Sequence, residues 1–151
     1  MQSPTIFTLG YSGWTVEAIE AEVARLDAIL IDVRMVPRSR FAPWNGSAFK
    51  AKFGERYLWL REFGNVNYKG TFDQIKIADF PTGLKRLSEL TGQPFSGKAV
   101  ILMCGCADVN NCHRKVLAER LAGLWSAAVV HLAPPPKTKK AQHAKPPGML
   151  F

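Results

Sequence analysis

No stretch of this sequence approaches the roughly twenty consecutive apolar residues that a membrane-spanning helix needs. Its opening, Met1-Gln2-Ser3-Pro4, has no basic segment leading into an apolar one, so a signal peptide is not expected. Cysteine is scarce, with three residues in 151. An odd, clustered set argues against a secreted disulfide framework and for reduced thiols in the cytoplasm. There is neither a Gly-x-Gly-x-x-Gly fingerprint nor a phosphate-binding loop ending in Gly-Lys-Ser/Thr, and nothing marks a cofactor site, so none is expected. No internal repeat is present.

What remains describes one globular domain. Apolar residues make up 47% of the chain, enough at this length for a core without disulfide or metal staples. The net charge of +8 is unevenly spread. From Pro134 onward Lys137, Lys139, Lys140 and Lys145 stand with no acid among them, so half of the net charge lies in the tail. A basic body and a basic tail suit a nucleotide or nucleic-acid partner, or simply keep the protein in solution. The expected division is an α/β domain over 1–133 and a Pro/Lys-rich tail over 134–151 that cannot build a core. The tail ends in Met149-Leu150-Phe151, three apolar side chains expected to be covered by this domain, a second copy or a protein partner.

Strand and helix patterns alternate along the body. Thr5 to Leu9 is β-branched and aromatic, and ends at the turn Gly10-Tyr11-Ser12-Gly13. Thr15 can cap a helix to Leu26 whose apolar positions recur every three or four residues. Ala28 to Val33 is a nearly continuous apolar strand. A basic loop, Arg34 to Arg40, leads to a short helix capped by Ser47 and a third strand, Tyr57 to Leu60. Val66 to Ala78 reads as loop with a helical turn. A helix from Pro81 to about Leu90, a turn over Gly92 to Gly97, a central strand ending at Cys104, a further helix and the strand Ala127 to Leu132 complete the pattern. Continuous apolar strands separated by helices predict a three-layer α/β sandwich on a mainly parallel sheet of about five strands.

In such sheets ligands sit beyond the carboxyl ends of the strands. The polar residues fall there: Tyr11 and Ser12 after the first strand; Asp32, Arg34, Arg38 and Arg40 at the second; Arg61 and Glu62 after the third; Cys104, Cys106 and Asp108 after the fourth. All three cysteines lie within nine residues, and Cys112-His113-Arg114 opens the next helix, where free backbone N–H groups favour thiolates and anions. Arg34, Arg38 and Arg114 are candidate anion ligands, joined by Tyr11, Ser12, Cys112 and His113. Cys104 is the candidate nucleophile or redox thiol, with Asp32 or Asp108 as orienting carboxylate. Asp32 could instead simply neutralise Arg34, and Cys104 could be a small buried hydrophobe. Arg34, Arg38, Cys104 and Asp108 are expected to line one cavity. Cys-x-Cys-x5-Cys-His lacks paired Cys-x2-Cys knuckles, and adjacent side chains at a helix start diverge, so no metal is expected.

The blocks Thr8-Leu9-Gly10-Tyr11-Ser12, Ile31-Asp32-Val33-Arg34 with Pro37 to Arg40, Tyr57 to Leu60, Leu102-Met103-Cys104 and Cys112-His113-Arg114 resemble the domain-of-unknown-function 488 family. That resemblance implies a compact α/β domain and no particular activity. A weaker similarity links Leu30 to Arg34 with rhodanese-like domains, whose persulfide-carrying cysteine would fall on Cys104. Asp108 in the following loop would repel both a thiolate and an anionic substrate, which makes sulfur transfer the lesser reading. The leading expectation is therefore an enzyme-like domain that binds a nucleotide or nucleic-acid-derived anion beside a reactive cysteine. The alternative of another class is a non-catalytic, nucleic-acid-associated adaptor.

Overall fold

A computed structural model describes residues 4–69, 74–94, 97–106 and 108–136. Met149, Leu150 and Phe151, and the lysines of the tail, lie outside these residues. Five strands, β1 (Thr5–Gly10), β2 (Ala28–Asp32), β3 (Tyr57–Trp59), β4 (Ala99–Cys104) and β5 (Ala128–Leu132), form one sheet in the order β3-β2-β4-β1-β5. Every pairing is parallel. Four helices, α1 (Val16–Leu26), α2 (Gly46–Phe53), α3 (Phe80–Thr91) and α4 (His113–Trp125), connect them. No helix among the described residues is long and apolar enough to cross a membrane.

The side-chain period of two along a strand divides the core between the faces. In β4, Ile101 and Met103 point to one face, where they pack with Ile19 and Val23 of α1 and Phe49 of α2. Val100, Leu102 and Cys104 point to the other, packing with Leu87 of α3 and Leu117, Ala118 and Leu121 of α4. Because β4 is central and covered on both faces, it has no polar-outward alternation, and its sequence is one apolar run.

The helix boundaries follow local chemistry. Thr15 Oγ1 accepts from Ala18 N (3.1 Å) to cap α1, and Asp27, left-handed at φ 49°, ends it. Asp79 caps α3 through Thr82 N (3.3 Å). Ser47 does not cap α2: the helix begins one residue earlier at Gly46, preceded by Asn45, whose carboxamide oxygen is turned back to Ser39 N (2.7 Å). Gly46 is required there, because a Cβ would sit 2.9 Å from both Pro37 Cβ and the Tyr57 hydroxyl.

This topology places the site. The helices that follow β1 and β2 lie on one face, whereas the helix that follows β4 lies on the other. The chain therefore leaves β4 in the opposite sense to both of its neighbours, and a crevice opens at its carboxyl end, above Cys104.

Candidate functional site: a thiol-floored pocket

A pocket of about 420 Å³ occupies that crevice. Tyr11 comes to it from the end of β1, Arg34 to Val36 and Arg38 from the loop after β2, and Cys104 to Cys106 from the end of β4. Asn111, Cys112 and His113 approach from the start of α4, and Asn65, Asn67, Tyr68 and Ile75 form the opposite wall.

The floor is sulfur. The Sγ atoms of Cys104, Cys106 and Cys112 all lie within 4.8 Å of one another, and all three are free thiols. Two backbone features create this convergence. β4 delivers Cys104, and Gly105 lets the chain turn beneath Tyr11, whose hydroxyl oxygen would lie 2.9 Å from any Cβ there. Cys112 is extended (φ −128°, ψ 141°) just before α4, which turns its sulfur back towards the loop. Cys104 and Cys112 are buried, and Cys106 is exposed.

Hydrogen bonds among the thiols set their acidities. Donation from Cys104, then from Cys112, draws the Cys106 thiol well below its usual range, with the Arg114 guanidinium adding a smaller electrostatic pull. Donation to Cys106 and Cys112, with burial, pushes Cys104 well up. For Cys112, donation from Cys104 pulls down, but its own donation to Cys106 and its burial outweigh that and leave it at about 11. Of the three thiols, the outermost, Cys106, is the one pulled down, while the buried Cys104 and Cys112 are pushed up. Arg114, at 2% exposure, lies behind the floor: its Nη1 donates to Cys104 Sγ (3.3 Å) and to the Cys106 carbonyl (2.6 Å). His113 Nε2 meets the Val33 carbonyl at 2.6 Å, so Nε2 carries the proton and Nδ1 the lone pair. Burial lowers the His113 pKa, which keeps the ring neutral.

Arg34 lines the pocket but is already engaged. Its Nε and Nη2 take the two Asp32 carboxylate oxygens at 2.9 and 2.6 Å, and Nη1 donates to the Trp44 carbonyl (2.7 Å) and to the Tyr11 hydroxyl (3.2 Å). Tyr57 donates to the same carboxylate (2.5 Å), and burial, then the adjacent Asp32 charge, push its hydroxyl far above the usual value. The pairing of Asp32 with Arg34 is thus what the structure shows, and Asp32 lies beneath the wall, outside the lining. Arg38 is the other guanidinium lining the pocket: its side chain is exposed and makes no hydrogen bond or ion pair among the described residues, while its backbone N–H donates to the Val36 carbonyl (2.9 Å).

Three further expected site residues lie outside the pocket lining. Asp108 does not line the cavity with Cys104, Arg34 and Arg38; its carboxylate caps the short turn Val109–Asn111 through Asn110 N (3.0 Å) and Asn111 Nδ2 (2.5 Å). Ser12 is exposed outside the lining and donates to the Gly105 carbonyl (2.5 Å), which steadies the loop. Arg114 backs the sulfurs and is not part of the lining. Nor do Arg40, Arg61 or Glu62 reach the pocket; Glu62 pairs with Arg86 of α3 at 2.7 Å.

The wall of Asn65, Asn67, Tyr68 and Ile75 has no counterpart in the sequence reading. Asn65 Oδ1 accepts from Asn67 N (3.0 Å) and Lys76 N (2.9 Å), closing this loop on itself. The signal was Gly64. A Cβ there would lie 2.7 Å from Met35 Cα, so only glycine lets the two loops touch and enclose the pocket.

Fold and site together define a doubly wound α/β domain whose crevice is floored by thiols. The chain belongs to the domain of unknown function DUF488 family, whose model matches residues 16–121. No curated protein and no solved structure matches it.

Proposed function

We propose that the domain is enzyme-like and binds a small anion, a nucleotide or a nucleic-acid-derived group, in this pocket, with Cys106 as its accessible thiol nucleophile. The observation that carries the reading is the sulfur cluster on the floor of a ligand-sized crevice, with its exposed member facing the opening. Cys104, at 1% exposure and packed in the core beneath, supports the cluster and is not its reacting edge. Arg38 supplies an exposed cation at the rim, Tyr11 and Tyr68 offer aromatic surface, and the carboxamides of Asn65, Asn67 and Asn111 offer hydrogen-bonding groups.

In the reduced full-length chain, iodoacetamide followed by peptide mass mapping should label Cys106 first, with Cys104 and Cys112 at least about tenfold slower, as burial requires. Nucleoside monophosphates and short oligonucleotides should protect Cys106, and Arg38→Ala should weaken that protection about tenfold, in line with loss of a charge-assisted contact. Labelling that begins at Cys104, or a Cys106 rate indifferent to every anion tried, overturns the reading.

A further inference from the structure

We propose that Cys104, Cys106 and Cys112 form a three-sulfur site for zinc, with the fourth coordination position open to the pocket. The inference takes its place in the fold from the pocket reading but does not depend on a nucleophilic thiol.

Geometry is the first argument. Zinc–sulfur bonds of about 2.3 Å put sulfurs about 3.8 Å apart in a tetrahedral site. The three Sγ atoms already lie within 4.8 Å of one another, so side-chain rotations that move them by ~1 Å complete the set. The residue adjacency that argues against a metal in the sequence is no obstacle. Cys112 precedes the first turn of α4 in extended conformation and reaches the cluster without any ligand from His113.

Ligand chemistry and charge are the second. Three thiolates without a carboxylate select a soft or borderline ion over magnesium or calcium. Asp108, the acid of this loop, has both oxygens turned to Asn110 and Asn111. Three thiolates and Zn²⁺ carry one net negative charge, and the buried Arg114 guanidinium, 3.3 Å from Cys104 Sγ, cancels it. Such neutrality is what a charged group needs when two of its three ligands are buried. His113 stands beside the set, with Nδ1 4.0 Å from Cys112 Sγ and its opposite nitrogen held by the Val33 carbonyl.

The open position also bears on anion binding. With Arg34 bound to Asp32 and Arg114 behind the floor, Arg38 is the cation at the rim. With Arg114 the zinc–thiolate unit is neutral overall, so its open position would offer an anion a Lewis-acid partner at the floor rather than net positive charge, and an anion could complete the coordination.

The test uses the reduced, chelator-stripped full-length chain titrated with Zn²⁺, then gel filtration and elemental analysis. One zinc per chain is expected. Co²⁺ in its place should show thiolate-to-metal charge-transfer absorption and the visible bands of a tetrahedral ion. Cys106→Ser should weaken zinc binding by about tenfold or more; this residue is exposed, so the variant should fold, as circular dichroism would confirm. Cys112→Ser should do the same. Less than stoichiometric zinc in the parent, or parent-like affinity in Cys106→Ser, overturns the proposal. Anion binding is measured separately on the zinc-free chain. Stoichiometric zinc without anion binding would sink the pocket reading alone, and anion binding without zinc would sink the metal site alone.

Discussion

Gly10→Ala should cost about 3 kcal/mol or more and dismantle the sulfur floor, although Gly10 is neither a ligand nor a pocket residue. A Cβ on Gly10 would lie 1.6 Å from the Cys106 carbonyl oxygen and 2.6 Å from Arg114 Nη1. Neither neighbour can move freely. The Cys106 carbonyl is the acceptor for that same Nη1, and β4 continues from Cys104 directly into this loop. Gly10 is itself held in register opposite Cys104, and the following residue, Tyr11, donates its N–H to the Cys104 carbonyl (2.9 Å). The strain must therefore be relieved by pushing the Cys106 segment outward, and overpacking of a rigid site typically costs 1–3 kcal/mol even when the neighbours give way. The loss of the Arg114 contact adds to this. Denaturant melts would give the stability change. Bifunctional thiol cross-linking would show whether Cys106 still lies near Cys112. A variant that melts within about 0.5 kcal/mol of the parent and still cross-links efficiently would show that the loop is not locked against β1.

The same glycine shows how far the sequence could be read. A continuous apolar strand, a thiol at its end and an amphipathic helix after the loop are local patterns, and they placed β4 and Cys104 to within about a residue; α4, expected to begin near Asn111 or Cys112, begins at His113. The position of Tyr11, Arg34, Arg38 and Cys104 at one edge followed from parallel topology alone. What the sequence did not disclose depends on contacts between loops. Gly64 against Met35 brings the Asn65–Tyr68 wall to the pocket, and no periodicity encodes that contact. Asp108 was legible as a loop acid but not as a cap, because Asn110 and Asn111 compete for its two oxygens only once the chain turns. The cysteine spacing concealed the convergence of the sulfurs, since it arises from a turn at Gly105 and an extended Cys112 and resembles no standard knuckle.

Breaking the pair beneath the wall should be the other large effect. Asp32 is fully buried and Arg34 nearly so, and together they join β2, β3, the Trp44 turn and Tyr11. Arg34→Met would leave the Asp32 carboxylate in the core with Tyr57 and the residue-34 amide as its hydrogen-bond donors, a loss of about 3–5 kcal/mol for an uncompensated buried charge. Asp32→Leu should cost a similar amount by stranding the guanidinium, although its Trp44 and Tyr11 contacts remain available. The double variant should lose clearly less than the two single losses added together, because neither charge is then left unpaired. Arg34→Lys keeps the charge but not the planar fork that spans both carboxylate oxygens and the Trp44 carbonyl, so it should recover only part of the stability. The guanidinium also lies 5.3 Å from the centre of the Tyr11 ring, which stacks on Trp44, so Arg34→Met should loosen the Tyr11 side of the pocket as well. Urea melts of the four proteins at one pH supply the cycle. A loss below about 1 kcal/mol for Arg34→Met is what a solvent-screened surface pair would give, and would mean that the pair is not the buried anchor of the pocket wall.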